Sequence, residues 1–87
     1  MLIKTFLELT ADLQPNWPLA SQKGRLSKIQ VDRDHCSFLL GTHPLSVAKS
    51  RQILTKIKAA DLPIVLANGH PVYSIQVDLK NKKIIIR

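Results

Sequence analysis

Pro44–Ala60, PLSVAKSRQILTKIKAA, is the long stretch of this chain with a clean helical period, and it holds four cations and no anion. On a helical wheel Val47, Ile53, Leu54 and Ile57 share one face with Ser50 inside it, so that face is expected on a core. Lys49 and Lys56 fall on one flank of this face, and Arg51 and Lys58 on the other. Pro44 suits a first helical turn, and Thr42 or Ser46 could cap it. The expectation is a helix that looks inward with aliphatics and outward with two basic edges.

On either side the period changes from helix to strand. Gly24 opens a run in which Ile29 and Val31 alternate with Lys28 and Gln30, a strand over 25–32 with one wet face. Arg33-Asp34 reads as a turn, and Cys36–Leu40 as a returning strand. After the helix, Asp61 and Leu62-Pro63 are breakers, and Ile64–Ala67 is a short strand. Asn68-Gly69 is the strongest turn signal present. Val72–Leu79 alternates, placing Tyr73, Ile75, Val77 and Leu79 on one side, with Tyr73 read as core. Lys83–Arg87 returns as the last strand. Its Ile84 and Ile86 face opposite to Ile85, so both sides want cover, either from the first helix or from another chain.

The N-terminal stretch 2–14 fits two periods. Leu2, Phe6, Leu9 and Leu13 make a helical stripe widened by Ile3 and Leu7, while Ile3, Thr5, Leu7 and Leu9 also alternate. Helix is favoured because Glu8 and Asp12 fall opposite the stripe. A strand over 2–10 would instead bring the chain closer to an oligonucleotide-binding barrel. Gln14–Lys23, with Pro15 and Pro18 around Trp17, reads as a loop. The resulting order is α-β-β-α-β-β-β. The expected fold class is α+β: one domain over 1–87, with a small antiparallel sheet or partial barrel of about five strands. One central amphipathic helix packs on that sheet, joined by an N-terminal helix.

Charge is the loudest compositional fact. The net is +7, and it is uneven: residues 1–22 carry −1 and residues 23–87 carry +8. Such asymmetry points to a polyanion, against the plain alternative of solubility. The cations gather in three places: Lys23, Arg25 and Lys28 on the first strand; Lys49, Arg51, Lys56 and Lys58 on the helix; and Lys80, Lys82 and Lys83 at the last turn. Trp17 either stacks on a base or pins its own loop to the core. These eleven residues are the candidate nucleic-acid contacts. No RNA-recognition aromatic signature, GXXG loop or zinc knuckle accompanies them.

Other chemistry reads weakly. Asp32-Arg33-Asp34-His35-Cys36 has no zinc spacing and is better taken as a turn, so neither metal nor cofactor is expected. Cys36 stands alone, which excludes an intrachain disulfide, and a lone cysteine in a strand reads as a small buried hydrophobe. Gly41-Thr42-His43 could offer amides to an anion but reads first as a cap. The start of the chain does not read as a signal peptide, and no apolar run is long enough to span a membrane, so a cytoplasmic protein with no membrane partner is expected. The leading function is a non-catalytic nucleic-acid-binding domain for DNA or RNA. The alternatives are an assembly module docking an acidic protein and a small toxin-like ribonuclease. The terminal isoleucines suggest a homodimer through the C-terminal strand.

Overall fold

The computed structural model describes all 87 residues, Met1–Arg87, as α1 (Ile3–Leu9), β1 (Leu19–Ser21), β2 (Gly24–Val31), β3 (Cys36–Leu40), α2 (Val47–Thr55), β4 (Ile64–Leu66), β5 (Ile75–Asp78) and β6 (Lys83–Ile86). The α+β class holds, with two helices and a curled sheet that forms a half-barrel. That sheet has six strands in the order β4-β3-β2-β1-β6-β5. It is mixed, not antiparallel as expected, because β1 runs parallel to β6 and β3 parallel to β4.

The extra strand comes from the stretch read as a loop. Leu19–Ser21 lies between Pro18 and the Gln22-Lys23 turn, too short to show a period. It is ordered from both sides, by Ala20 opposite Arg25 of β2 and Leu19 opposite Ile84 of β6. At the other end, the strand expected from Val72 begins only at Ile75. Pro71–Ser74 instead bridges the seam of the half-barrel. Val72 N–H donates to Ile64 at one edge, and Tyr73 and Ser74 N–H donate to the Arg87 carbonyl near the other. The segment thereby covers the outer edge of β4, while its bonds to Arg87 continue the β5–β6 ladder. It also leaves Tyr73 77% exposed, so the core reading of that residue is corrected.

The core is one cluster that joins Ile3 and Phe6 of α1 and Val47 and Leu54 of α2 to Leu19, Leu26, Phe38, Ile84 and Ile86 of the sheet. Phe6 meets Phe38 edge to face, with ring centroids 5.4 Å apart. Of the two isoleucine faces on the last strand, the helices therefore cover the one with Ile84 and Ile86, while Ile85 sits half-buried on the outer face. Because β6 is flanked by β1 and β5, its backbone offers no free edge to a second copy.

Both helices are shorter than their periods suggest. A seven-residue helix has little stability alone, so α1 rests on packing and on borrowed partners. Its first amides, Ile3 and Lys4, donate to the carbonyls of Leu62 and Ala60. That use of residues 60–62 explains why α2 stops at Thr55 and not near Ala60: the following chain leaves the helix through turns that present the Ala60 and Leu62 carbonyls to α1. At its start α2 is capped by Ser46, whose hydroxyl accepts from Lys49 N–H at 3.0 Å. Pro44 thus lies outside the helix. Val47 and Ala48 N–H donate to the carbonyls of Trp17 and Pro15, so the proline loop completes the cap. Gly41 is required by contact: a Cβ there would lie 2.5 Å from Cβ of Ser27, which occupies the bulge in β2.

Candidate functional site

In a paired sheet, residues directly opposite one another point to the same face. Applied along the registers, Leu26, Phe38, Leu66 and Ile86 point inward, and Ala20, Arg25, Lys28, Ile85 and Lys83 point outward. The two faces carry two different hollows.

The outer one follows from the brevity of β1. That strand gives the outer face only the small Ala20, so a trough opens between Arg25 on one neighbour and Lys83 on the other. It measures about 530 Å³, and Gln22, Lys23, Arg25, Asn81 and Lys83 supply its larger polar side chains. No carboxylate lines it. The nearest acid by register is Asp78, opposite Lys83. Asn81 engages that carboxylate through its side-chain amide at 2.9 Å and its backbone N–H at 3.1 Å. These hydrogen bonds, with a smaller contribution from Lys83, hold Asp78 below the usual aspartate range.

The inner one is the mouth of the half-barrel at the seam, a groove of about 650 Å³. Leu26, Phe38 and Ile86 form its floor, and Leu40 and Leu66 its walls; Tyr73, His70, Asn68, Lys23 and Arg87 stand at its rim. Again no carboxylate side chain lines it. Asn68 is oriented by accepting from His70 N–H at 3.0 Å. The two hollows share Ser21, Gln22 and Lys23, so they meet over the β1–β2 turn.

Of the residues marked from sequence, the fold brings Lys23, Arg25 and Lys83 together. Lys28 shares their face further along β2 but does not line the trough. Lys80 and Lys82 lie exposed in the β5–β6 turn, where Lys82 adopts a left-handed backbone, φ 53°. None of the helix cations lines either hollow. Lys49 and Lys56 are exposed, while Lys58 lies beyond the end of α2, so the second basic edge does not form as expected. Arg51 is half-buried, with its guanidinium donating to the Leu7 carbonyl and to Thr10 Oγ1. Trp17 is half-buried against the core and lines neither hollow.

The remaining candidates are dispersed. His70 stands at the groove; His35 pairs with Asp32 at 3.2 Å in the β2–β3 turn, and His43 is exposed before α2. No cavity receives two histidines. Cys36 is buried in β3, and burial pushes its thiol up to about 11. The α2 amides that an anion would need are taken by Trp17, Pro15 and Ser46, so Gly41-Thr42-His43 acts in the approach to a cap. Tyr73 and Arg87 were not marked from sequence as contacts, and His70 only as one of the histidines of the ribonuclease alternative. Their signal lies in which strands meet, and only Tyr73, placed after Pro71, carried a local hint of irregular backbone. No helix is long and apolar enough to cross a membrane. No family model, curated protein or solved structure matches this chain.

Proposed function

We propose that this chain is a small, basic, non-catalytic nucleic-acid-binding domain whose affinity comes mainly from backbone phosphates. The observation that carries the reading is the outer trough, where Lys23, Arg25 and Lys83 converge beside Asn81 with no carboxylate among the lining residues. Cations gathered in a concavity focus a positive field, and each phosphate they neutralise releases counterions. The interface is therefore the sheet, with α2 serving as support. An acidic protein would suit the same charges, but a trough beside a groove with an exposed tyrosine at its rim better fits alternating phosphates and bases. The ribonuclease reading has less support, since no two histidines share a cavity where one could act as base and one as acid.

The test is binding of fluorescent DNA and RNA oligonucleotides across a salt series. With three phosphate contacts, log K against log salt is expected to slope at roughly −2 for single strands. Absence of binding to both nucleic acids at low salt, with an acidic protein bound in a salt-sensitive way, would replace this reading by the assembly module.

A further inference from the structure

We infer that the inner groove takes a single unpaired nucleobase, so that the ligand is single-stranded nucleic acid bent over the β1–β2 turn. The inference rests on the proposed phosphate-binding trough and adds a second, chemically different site to it. Three observations combine. Over the buried Leu26, Phe38 and Ile86, the groove presents accessible apolar surface from Leu40, Leu66, Ala67 and Pro71, which a flat ring can cover and a phosphate cannot usefully touch. At its rim Tyr73 is 77% exposed, an aromatic face with no core role. Exposed tyrosines beside cationic tracks are where bases stack, and stacking tolerates every base because each has a π-face. Finally, the groove and the trough lie on opposite faces of the sheet and meet only at Ser21–Lys23.

That last point selects the strand state. A ligand that touches both hollows must turn round the rim of the sheet within a few residues' width. A duplex is stiff over about 150 base pairs and keeps its bases stacked inside, so it can reach the trough but not the groove. A single strand bends freely and can turn one base out. Lys23, common to both hollows, is placed for the phosphate at the bend. Asn68 supplies edge contacts, because its Oδ1 is occupied by His70 N–H while its amide N–H groups have no protein partner.

The experiment compares a short DNA strand, the same strand with all internal bases removed, and a hairpin duplex, each titrated by fluorescence anisotropy. The normal strand is expected to bind about ten-fold more tightly than the abasic strand of equal charge, as one stacked base predicts. Tyr73→Ala, and Ala67→Trp which fills the groove from its exposed rim, should erase that difference without changing abasic binding; Tyr73→Phe should restore it. Circular dichroism confirms that each variant is folded. Equal binding of normal and abasic strands, with Lys83→Glu still weakening both, overturns the base site and leaves the phosphate reading standing. Tighter binding of the hairpin also overturns the base site. No binding of any strand at low salt removes both.

Discussion

The chain carries two sets of basic residues that look alike in sequence and differ in structure. On α2, Lys49, Arg51, Lys56 and Lys58 recur at helical spacing, yet they do not form a shared surface. Arg51 turns inward to tie α2 to the end of α1, and the helix ends before Lys58. On the sheet, Lys23 and Arg25 of the β1–β2 hairpin meet Lys83 from the far end of the chain, and strand pairing sets them round one trough. Periodicity places a side chain relative to its own element. Convergence of charge is decided by which elements pair, and here that depends on β1 joining β2 to β6.

Reversing charges separates the two sets most strongly. Lys23→Glu, Arg25→Glu and Lys83→Glu together are expected to weaken single-strand binding on the order of 100-fold at low salt and to flatten the salt slope. The matching triple, Lys49→Glu, Lys56→Glu and Lys58→Glu, should change affinity by less than about three-fold, since those side chains are exposed and outside both hollows. Anisotropy titrations at two salt concentrations are sufficient. Equal losses from the two triples would break the distinction and return the interface to the helix.

Much of this distinction could not be read before the fold was known. The α2 face was legible because Val47, Ser50 and Leu54 repeat within one element, and all three are buried. The strands β2, β3 and β6 were legible from alternation and turn residues. The trough was not, because β1 is three residues long and is ordered in part by β6, whose Ile84 lies 65 positions after its register partner Leu19. The groove failed for a related reason. Tyr73 sits in an alternating run that predicts core, but Pro71 and the seam withhold it from the sheet and turn it outward. The ends of α2 were misplaced because residues 60–62 serve α1, a demand invisible in the helix's own period.

Arg51 tests the other half of the comparison. Its guanidinium joins α2 to Leu7 and to the buried Thr10, whose hydroxyl also donates to the Phe6 carbonyl at 2.7 Å. Arg51→Met keeps the aliphatic stem but leaves those acceptors short of a donor, and should cost about 1–3 kcal/mol of stability. Nucleic-acid affinity of the folded variant should stay within about two-fold, consistent with a side chain that faces inward. Urea unfolding and anisotropy on the same sample check both. A large loss of affinity at unchanged stability would mean that Arg51 reaches the ligand.

Ser46 provides a smaller effect of the same kind. Its hydroxyl satisfies Lys49 N–H, and Ser46→Ala should lower stability by about 1 kcal/mol, with urea midpoint as the readout. The proline loop still satisfies Val47 and Ala48, so α2 should persist, with little change in helical circular dichroism. Collapse of that signal would show that the hydroxyl, and not the loop, sets the start of the helix.

The smallest effect lies at the edge of the trough. Asp78 is the acid opposite Lys83, and its charge would oppose a phosphate bound in the proposed trough. Asp78→Asn should therefore tighten single-strand binding by about two- to three-fold at low salt, with the gain vanishing at high salt, as for an exposed charge pair. The pH dependence has a fixed sign. Hydrogen bonds from Asn81 hold the Asp78 pKa below 3.8, so the carboxylate stays charged from pH 7 to pH 5. Within that window acidification cannot reproduce the effect of the variant. Below it the turn itself responds: a depressed carboxylate stabilises the fold above its unfolded pKa, and that contribution is lost as pH falls through the folded one. The wild-type chain should thus lose more thermal stability between pH 5 and pH 2 than Asp78→Asn does. Equal losses would mean that the Asn81 contacts do not favour the charged form. An affinity unchanged by Asp78→Asn at low salt would mean that phosphate does not approach Lys83, and it would move the ligand toward Lys23 and Arg25.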